Sequence, residues 1–287
     1  MPDVRPLHAL TIDVEEWFHI LDAGPEPERW DQLPSRVEFG LERIFALCER
    51  FGVHATFFVL GWVAERRPDV VAEIVRRGHE IGSHSFGHTV LGELGPDGFR
   101  RDLDRSLDAI ARAGGTVQAY RAPGFSLTPQ TKWAFAALAD RGIALDASLF
   151  LGPRAHGGWS LDRSGPFAVV LADGRRIVEV PTVPLRVLGR SLPFSGGGYL
   201  RLLPTALIEH GFARAERAGH PVCVYVHPRE LDPDPPDLPL PAARRFKYYV
   251  GLETVMPKLE RLLARHRFGT VSAVAAAATL GQPLELH

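Results

Sequence analysis

The chain has 287 residues, 45% of them hydrophobic and 23% charged, as expected of a packed globular protein long enough for an α/β barrel. Its 34 acidic and 33 basic residues nearly cancel, leaving a formal net charge of -1. That balance excludes the basic footprint of a nucleic-acid binder and does not require a strongly charged substrate. The only cysteines, Cys48 and Cys223, lie in apolar runs, so buried reduced thiols are expected and no disulfide framework.

The opening "MPDVRPLHALTIDVEEW" has no apolar leader and no stop-transfer segment. The sequence as given is therefore expected in the cytoplasm with no transmembrane segment, although a chain trimmed of a leader would read the same. "HALTI" (8–12) reads as a buried strand. Residues 35–51 read as a helix, with a capping-box pattern at Ser35 and Glu38 and one face made of Val37, Leu41, Ile44, Phe45 and Cys48. "HATFFVLG" (54–61) is a second strand. A helix over 68–78 ends at Gly78, and "HEIGSH" (79–84) is a third strand.

A helix follows over 97–113, then a strand over 117–124. Thr128 and Pro129 read as an N-cap and a first-turn proline, and their helix ends near Gly142. Residues 143–150 form the next strand. Asp173 and Gly174 divide 167–183 into a hairpin. A helix over 204–219 and a strand over 221–227 come next, then a proline-rich stretch, 232–241, that cannot be regular. Residues 251–266 have helical periodicity, with Pro257 a candidate kink. The alternation predicts one α/β domain over 1–287 built on a parallel sheet or barrel. It carries an inserted hairpin or loop region near 150–200 and a C-terminal helical extension from about 245.

In such folds chemistry gathers at the carboxyl ends of the strands. Those ends deliver Asp13, Glu15 and Glu16, the pair His84 and His88, Arg121, Asp146 with Ser148, and His227. Two imidazoles four residues apart can face one metal ion if the segment turns tightly, yet two surface histidines in a loop would have the same spacing. Taken singly, each residue also suits a cap, a loop or a salt bridge. Together they read as one site.

The motifs "TIDVEEW", "HSFGH", "RAPGF", "DAS" and "VYVH", in this order across about residues 8–230, resemble the polysaccharide deacetylase family, carbohydrate esterase family four, with its NodB-homology domain. The "DVEEWFH" start and "FSGGGYLRLLP" (194–204) resemble the subgroup associated with bacterial exopolysaccharide gene clusters. The resemblance implies a distorted (β/α) barrel. It implies Asp13 as general base, Arg121 as its partner, His227 as general acid and Asp146 as the residue that holds His227. It also implies that His84 and His88 bind a divalent metal, Zn²⁺ with Co²⁺ or Ni²⁺ as alternatives, and that the Gly124 N–H serves as an oxyanion donor.

Many members have a second aspartate where this chain has Val14. Asp13 and Glu15 share one side of an extended strand, so Glu15 becomes the candidate third ligand. A competing reading leaves the ion to the histidines and water. The family often has tyrosine after the R-x-P proline; Gly124 stands there, with Phe125 a candidate sugar contact. Trp17, Phe18, Trp62 and Trp159 could include a stacking platform, with Trp17 its candidate, while core packing is the more usual fate of any one of them. His19 is a further candidate contact, and Gly196–Gly198 either a close backbone approach or a plain loop.

The implied activity is removal of N-acetyl groups from amino sugars of an exopolysaccharide or its lipid-linked precursor, so the expected partner is an N-acetylated saccharide. A related deformylase or ring-opening amidohydrolase, or a catalytically silent sugar- or metal-binding module, are the alternatives. The sequence leaves the oligomeric state open.

Overall fold

The computed structural model describes residues 5–21, 24–187 and 190–286. Its strands are β1 (His8–Val14), β2 (Thr56–Val59), β3 (Glu80–Ser83), β4 (Val117–Tyr120), β5 (Leu145–Asp146), β6 (Phe167–Val170), β7 (Arg176–Glu179), β8 (Leu185–Val187), β9 (Arg190–Leu192), β10 (Cys223–Val226), β11 (Phe268–Gly269) and β12 (Gly281–Glu285). The helices are α1 (Val37–Phe51), α2 (Gly61–Arg66), α3 (Pro68–Arg76), α4 (Leu91–Arg112), α5 (Ala134–Ala139), α6 (Gly197–Leu202), α7 (Thr205–Arg217), α8 (Ala242–Tyr249), α9 (Val255–Arg265) and α10 (Val271–Ala277).

The main sheet runs β10-β1-β2-β3-β4-β5-β7-β6-β12, with β11 beside the start of β1. All its pairings are parallel except β6 with β7. On a flat sheet β4 would lie roughly 14 Å from β1 and 19 Å from β10, at about 4.8 Å per strand. Yet Arg121, the residue after β4, donates to Thr11 Oγ1 (2.7 Å) and Asp13 Oδ1 (2.8 Å) on β1 and reaches Cys223 Sγ (3.3 Å) on β10. One side chain spans those strands only because the sheet curls around it.

The alternation of β1 sorts its residues between two environments. Leu10, Ile12 and Val14 join the outer core with Val37, Leu41 and Ile44 of α1 and with Phe57 and Val59 of β2. Ala9 faces inward, packed with Phe58, Ala119, Ala147 and Cys223. Thr11 and Asp13 share that inner side, as their bonds to Arg121 require. Gly82 leaves the room that Phe58 needs, since a Cβ there would lie 2.4 Å from its ring. Val271 and Val274 of α10 close the interior from the side where the strands begin. Thr56 Oγ1 ties α10 down by accepting from the Val271 N–H (2.8 Å). The carboxyl ends remain for the site.

Several local expectations change. Helix α1 starts at Val37 without a side-chain cap, because the Ser35 hydroxyl is drawn to Glu16 Oε1 (2.5 Å). Helix α4 begins at Leu91 and breaks at Gly95 (φ 63°) before Pro96. Pro257 occupies the first turn of α9, where no intrahelical N–H is needed, so it forces no kink. The β6–β7 hairpin belongs to the main sheet through β5, and the separate hairpin is β8–β9. The final segment is not purely helical, because β11 and β12 pair with β1 and β6. Cys48 and Cys223 are buried free thiols. No helix among the described residues is long and apolar enough to cross a membrane.

Candidate active site

The carboxyl end of β1 carries Asp13, 3% exposed, and Glu15, 4% exposed. Glu15 Oε1 lies 3.0 Å from Nε2 of both His84 and His88. His84 Nδ1 is 2.7 Å from the Arg121 carbonyl oxygen, which can only accept, so this nitrogen carries the proton. In the neutral ring Nε2 then presents a lone pair toward a carboxylate oxygen. That juxtaposition of acceptors suits a divalent cation better than a bare hydrogen-bond network. The chemistry of the donor set therefore fits a metal, and all three ligand atoms lie within 4.8 Å of one another. Burial alone would raise the Glu15 carboxyl, but the neighbouring His88 and His227 outweigh it and hold it well below the usual range.

The histidine pair sits on a tight turn rather than a helix. Ser85 (φ 65°) and His88 (φ 56°) are left-handed, a conformation costly for residues with a Cβ. Asp102 of α4 holds the turn, accepting from the Phe86 N–H (2.8 Å) and the Gly87 N–H (3.1 Å). Ser85 Oγ and the Tyr120 hydroxyl add a bond of 2.7 Å. Sequence reading missed Asp102, which looks like one more acid on an exposed helix face.

Arg121 is fully buried and engages Asp13 Oδ1, leaving Oδ2 directed at His227 Nε2, 3.8 Å away. The expected partner of His227 is corrected: His227 Nδ1 meets Glu230 Oε2 at 3.1 Å, and the His227 backbone N–H donates to the same oxygen at 3.1 Å. Asp146 instead accepts from Ser148 Oγ (2.6 Å) and Ser148 N–H (3.2 Å) and lies against Glu179. Burial and the charge of Asp146 push the Glu179 carboxyl well above its usual value. A short turn after β10 brings Glu230 back to His227, and Arg201 of α6 forms an ion pair with it (3.0 Å). Burial would raise Glu230, but His227, Arg201 and Arg229 hold it at about 2. Burial would likewise lower His227, but Glu230, Glu15 and Asp13 keep it above its ordinary value.

Gly124 lines the same pocket in a left-handed turn (φ 62°), where a Cβ would strike Leu21 at 2.6 Å. That turn uses the Phe125 and Ser126 N–H groups. Phe125 also lines the pocket, with its ring 5.0 Å from Tyr225. Trp17 is corrected from sugar platform to core. It is 7% exposed, donates Nε1–H to the Pro34 carbonyl (2.9 Å) and packs with Phe18, Trp30, Leu238 and Tyr248. His19 borders the pocket but is buried among Phe18, Trp30 and Trp62. Gly196 lets the chain pass against Tyr225, since a Cβ there would lie 2.3 Å from the ring, and Gly197 and Gly198 line the pocket.

Another grouping, His8, Glu216 and His266, has metal-like spacing. His8 Nδ1 accepts from the Val222 N–H (2.9 Å), which places the neutral ring's proton on Nε2, toward Glu216 (3.3 Å). That nitrogen has no lone pair for an ion, so the cluster is a structural hydrogen-bond network.

Residues 22–141 match the family model described as Polysaccharide deacetylase, and residues 147–276 match a Domain of unknown function (DUF3473). A peptidoglycan-N-acetylglucosamine deacetylase of Bacillus cereus is 32% identical over 94 residues, 32% of this chain and 34% of that protein. The matched region thus spans about a third of that relative's length. A polysaccharide-deacetylase-like crystal structure from Mycobacterium smegmatis aligns over 96% of this chain and 91% of that one, with a TM-score of 0.65 and 22% identity. The crystal structure of Puue allantoinase has a TM-score of 0.63 at 15% identity, with 96% and 91% coverage. At these identities the likeness shows the fold, the distorted (β/α) barrel, and does not choose an amide substrate.

Proposed function

We propose, from a chain whose residues 22–141 belong to the polysaccharide deacetylase family, that it is a metal-dependent N-deacetylase. Its substrate is the acetamido group of an amino sugar in a bacterial exopolysaccharide or its lipid-linked precursor. The observation that carries the reading is the pairing of Asp13 Oδ2 with His227 Nε2, 3.8 Å apart, beside the Glu15–His84–His88 cluster. A base and an acid beside a cation-fitting cluster are what amide hydrolysis needs.

A divalent ion held by Glu15, His84 and His88, with zinc the first choice and cobalt or nickel alternatives, would polarise the acetamide carbonyl and acidify water. Asp13, its Oδ1 fixed by Arg121, takes the proton of the attacking water at Oδ2. The Gly124 N–H, in the left-handed turn bordering the pocket, donates to the developing oxyanion. His227, with Nδ1 committed to Glu230, delivers the proton on Nε2 to the departing nitrogen. Its raised pKa supports that role, because an acid must still hold its proton near neutral pH.

Residues 1–287 act as one catalytic unit in this reading. Asp13, Glu15, the histidine pair and Arg121 precede residue 141, whereas His227 and Glu230 fall in the region matching the domain of unknown function. The "DVEEWFH" and "FSGGGYLRLLP" segments support the exopolysaccharide assignment. The test loads the protein with Zn²⁺, Co²⁺ or Ni²⁺ and assays acetate release from N-acetylated oligosaccharides. Acetate release that requires both metal and Asp13 is expected. Formate release or ring opening without acetate release would move the activity to another amide, and inactivity with every metal would overturn the reading.

A further inference from the structure

Four arginines surround the site, and they divide by their partners. Arg121 is fully buried and has Asp13; Arg201 is 5% exposed and has Glu230. Arg154 and Arg229 line the catalytic pocket itself, and neither has a carboxylate ion pair among the described residues. Arg154 rests on aromatic rings, 4.6 Å from the centroid of Phe150 and 5.2 Å from that of Phe125. Arg229 stands 4.1 Å over Tyr248, and its Nη1 is buried with no hydrogen-bond partner among the described residues. The acids nearest Arg229 are Glu230 and Glu15, already committed to His227 and Arg201 and to the histidine cluster.

Taking a guanidinium partly out of water costs free energy, and stacking on an aromatic ring returns only part of it. Arg229 shares Glu230 and Glu15 with other cations and Arg154 reaches only the Tyr225 hydroxyl, so a neutral acetamido sugar would bring neither guanidinium an anion of its own and would leave the buried Arg229 Nη1 without a charged acceptor. Outward from the pocket the positive lining continues. A neighbouring groove shares Ile20, Leu21 and Arg229 with it and adds Arg244 and Lys247 of α8.

We infer that the substrate carries an anionic group, a carboxylate or a phosphate, near its acetamido group, and that Arg229, assisted by Arg154, binds it. The acetamido part rests on the deacetylase reading; the anion subsite does not. A uronic acid in the polymer and the phosphate of a lipid-linked precursor share this chemistry. Guanidinium binds both as a planar, two-pronged donor.

Calorimetric titration of the zinc-loaded protein tests it with three probes. These are neutral N,N′-diacetylchitobiose, a disaccharide of N-acetylglucosamine and glucuronic acid, and N-acetylglucosamine 1-phosphate. At least one anionic probe is expected to bind about tenfold tighter than the neutral one, and that preference should weaken as salt rises. The better anionic probe identifies the source. Arg229→Gln should abolish most of the preference. Arg154→Gln, on a separate segment of the pocket wall, should reduce it even if the Arg229 variant folds poorly.

Equal binding of neutral and anionic probes would overturn the subsite. A preference that survives both substitutions would also overturn it, by assigning the anion to the metal. Acetate release from the same probes is scored separately. Selective anion binding without acetate release would sink the deacetylase reading and leave the subsite standing.

Discussion

Glu230→Gln removes the charge beside His227 while nearly keeping the side chain's shape. Glu230 Oε2 lies 3.1 Å from His227 Nδ1 and accepts the His227 N–H as well. Hydrogen bonds to a charged group contribute about 1.5–3 kcal/mol, and one pKa unit corresponds to about 1.4 kcal/mol. The His227 pKa, raised in the parent, should therefore fall by about one to two units. A general acid fails as pH rises through its pKa, so the alkaline limb of kcat/KM should move down by the same amount. Below both pKa values the rate should change far less. NMR titration of the His227 ring provides a readout independent of any substrate, and the pH profile of acetate release provides the second. Arg201 loses a buried carboxylate in this variant, so thermal unfolding is measured alongside to separate pKa from stability. An unmoved ring titration, or a shift of equal size in Asp146→Asn but not in Glu230→Gln, would refute the assignment of Glu230.

Glu15→Ala should remove the carboxylate shared by His84 and His88. Bound zinc, measured by elemental analysis after dialysis, should fall from about one per chain to near zero; full retention would leave the ion to the histidines and water. Asp102→Ala frees the Phe86 and Gly87 N–H groups and loosens the turn carrying both imidazoles, so zinc affinity should drop about 10–100-fold by competition with a chelator, although Asp102 touches no ligand atom. Far from the pocket, His8 is lowered to about 4, chiefly by burial. The folded state binds fewer protons there than the unfolded one. The stability it contributes is thus complete above about pH 6.5 and lost as pH falls toward 4, on the order of 3 kcal/mol in total. Denaturant unfolding at both pH values should show this loss, and His8→Phe should flatten it.

Local chemistry was legible in the chain itself. The period-two alternation of β1 places Asp13 and Glu15 on one side and Val14 in the outer core, so the absence of a second aspartate does not remove a carboxylate from the cluster. The HSFGH and RAPGF segments, the late His227 and the strand–helix alternation are likewise properties of short windows, and short windows carry periodicity. Pairings made across the barrel interior were not legible. Glu230 rather than Asp146 supports His227 because the turn after β10 folds back on itself, while Asp146 is held against Ser148 and Glu179. Trp17 follows the acidic motif directly, yet its indole is claimed by the Pro34 carbonyl and the aromatic core. Asp102 and Arg201 act on the site from helices whose sequences show only surface-like charges. Sequence determines what each strand end carries, because side-chain direction along a strand follows from backbone geometry alone. Which ends meet, and which charges are left without partners, depends on how the sheet curls and what fills it, and only the tertiary structure decides that.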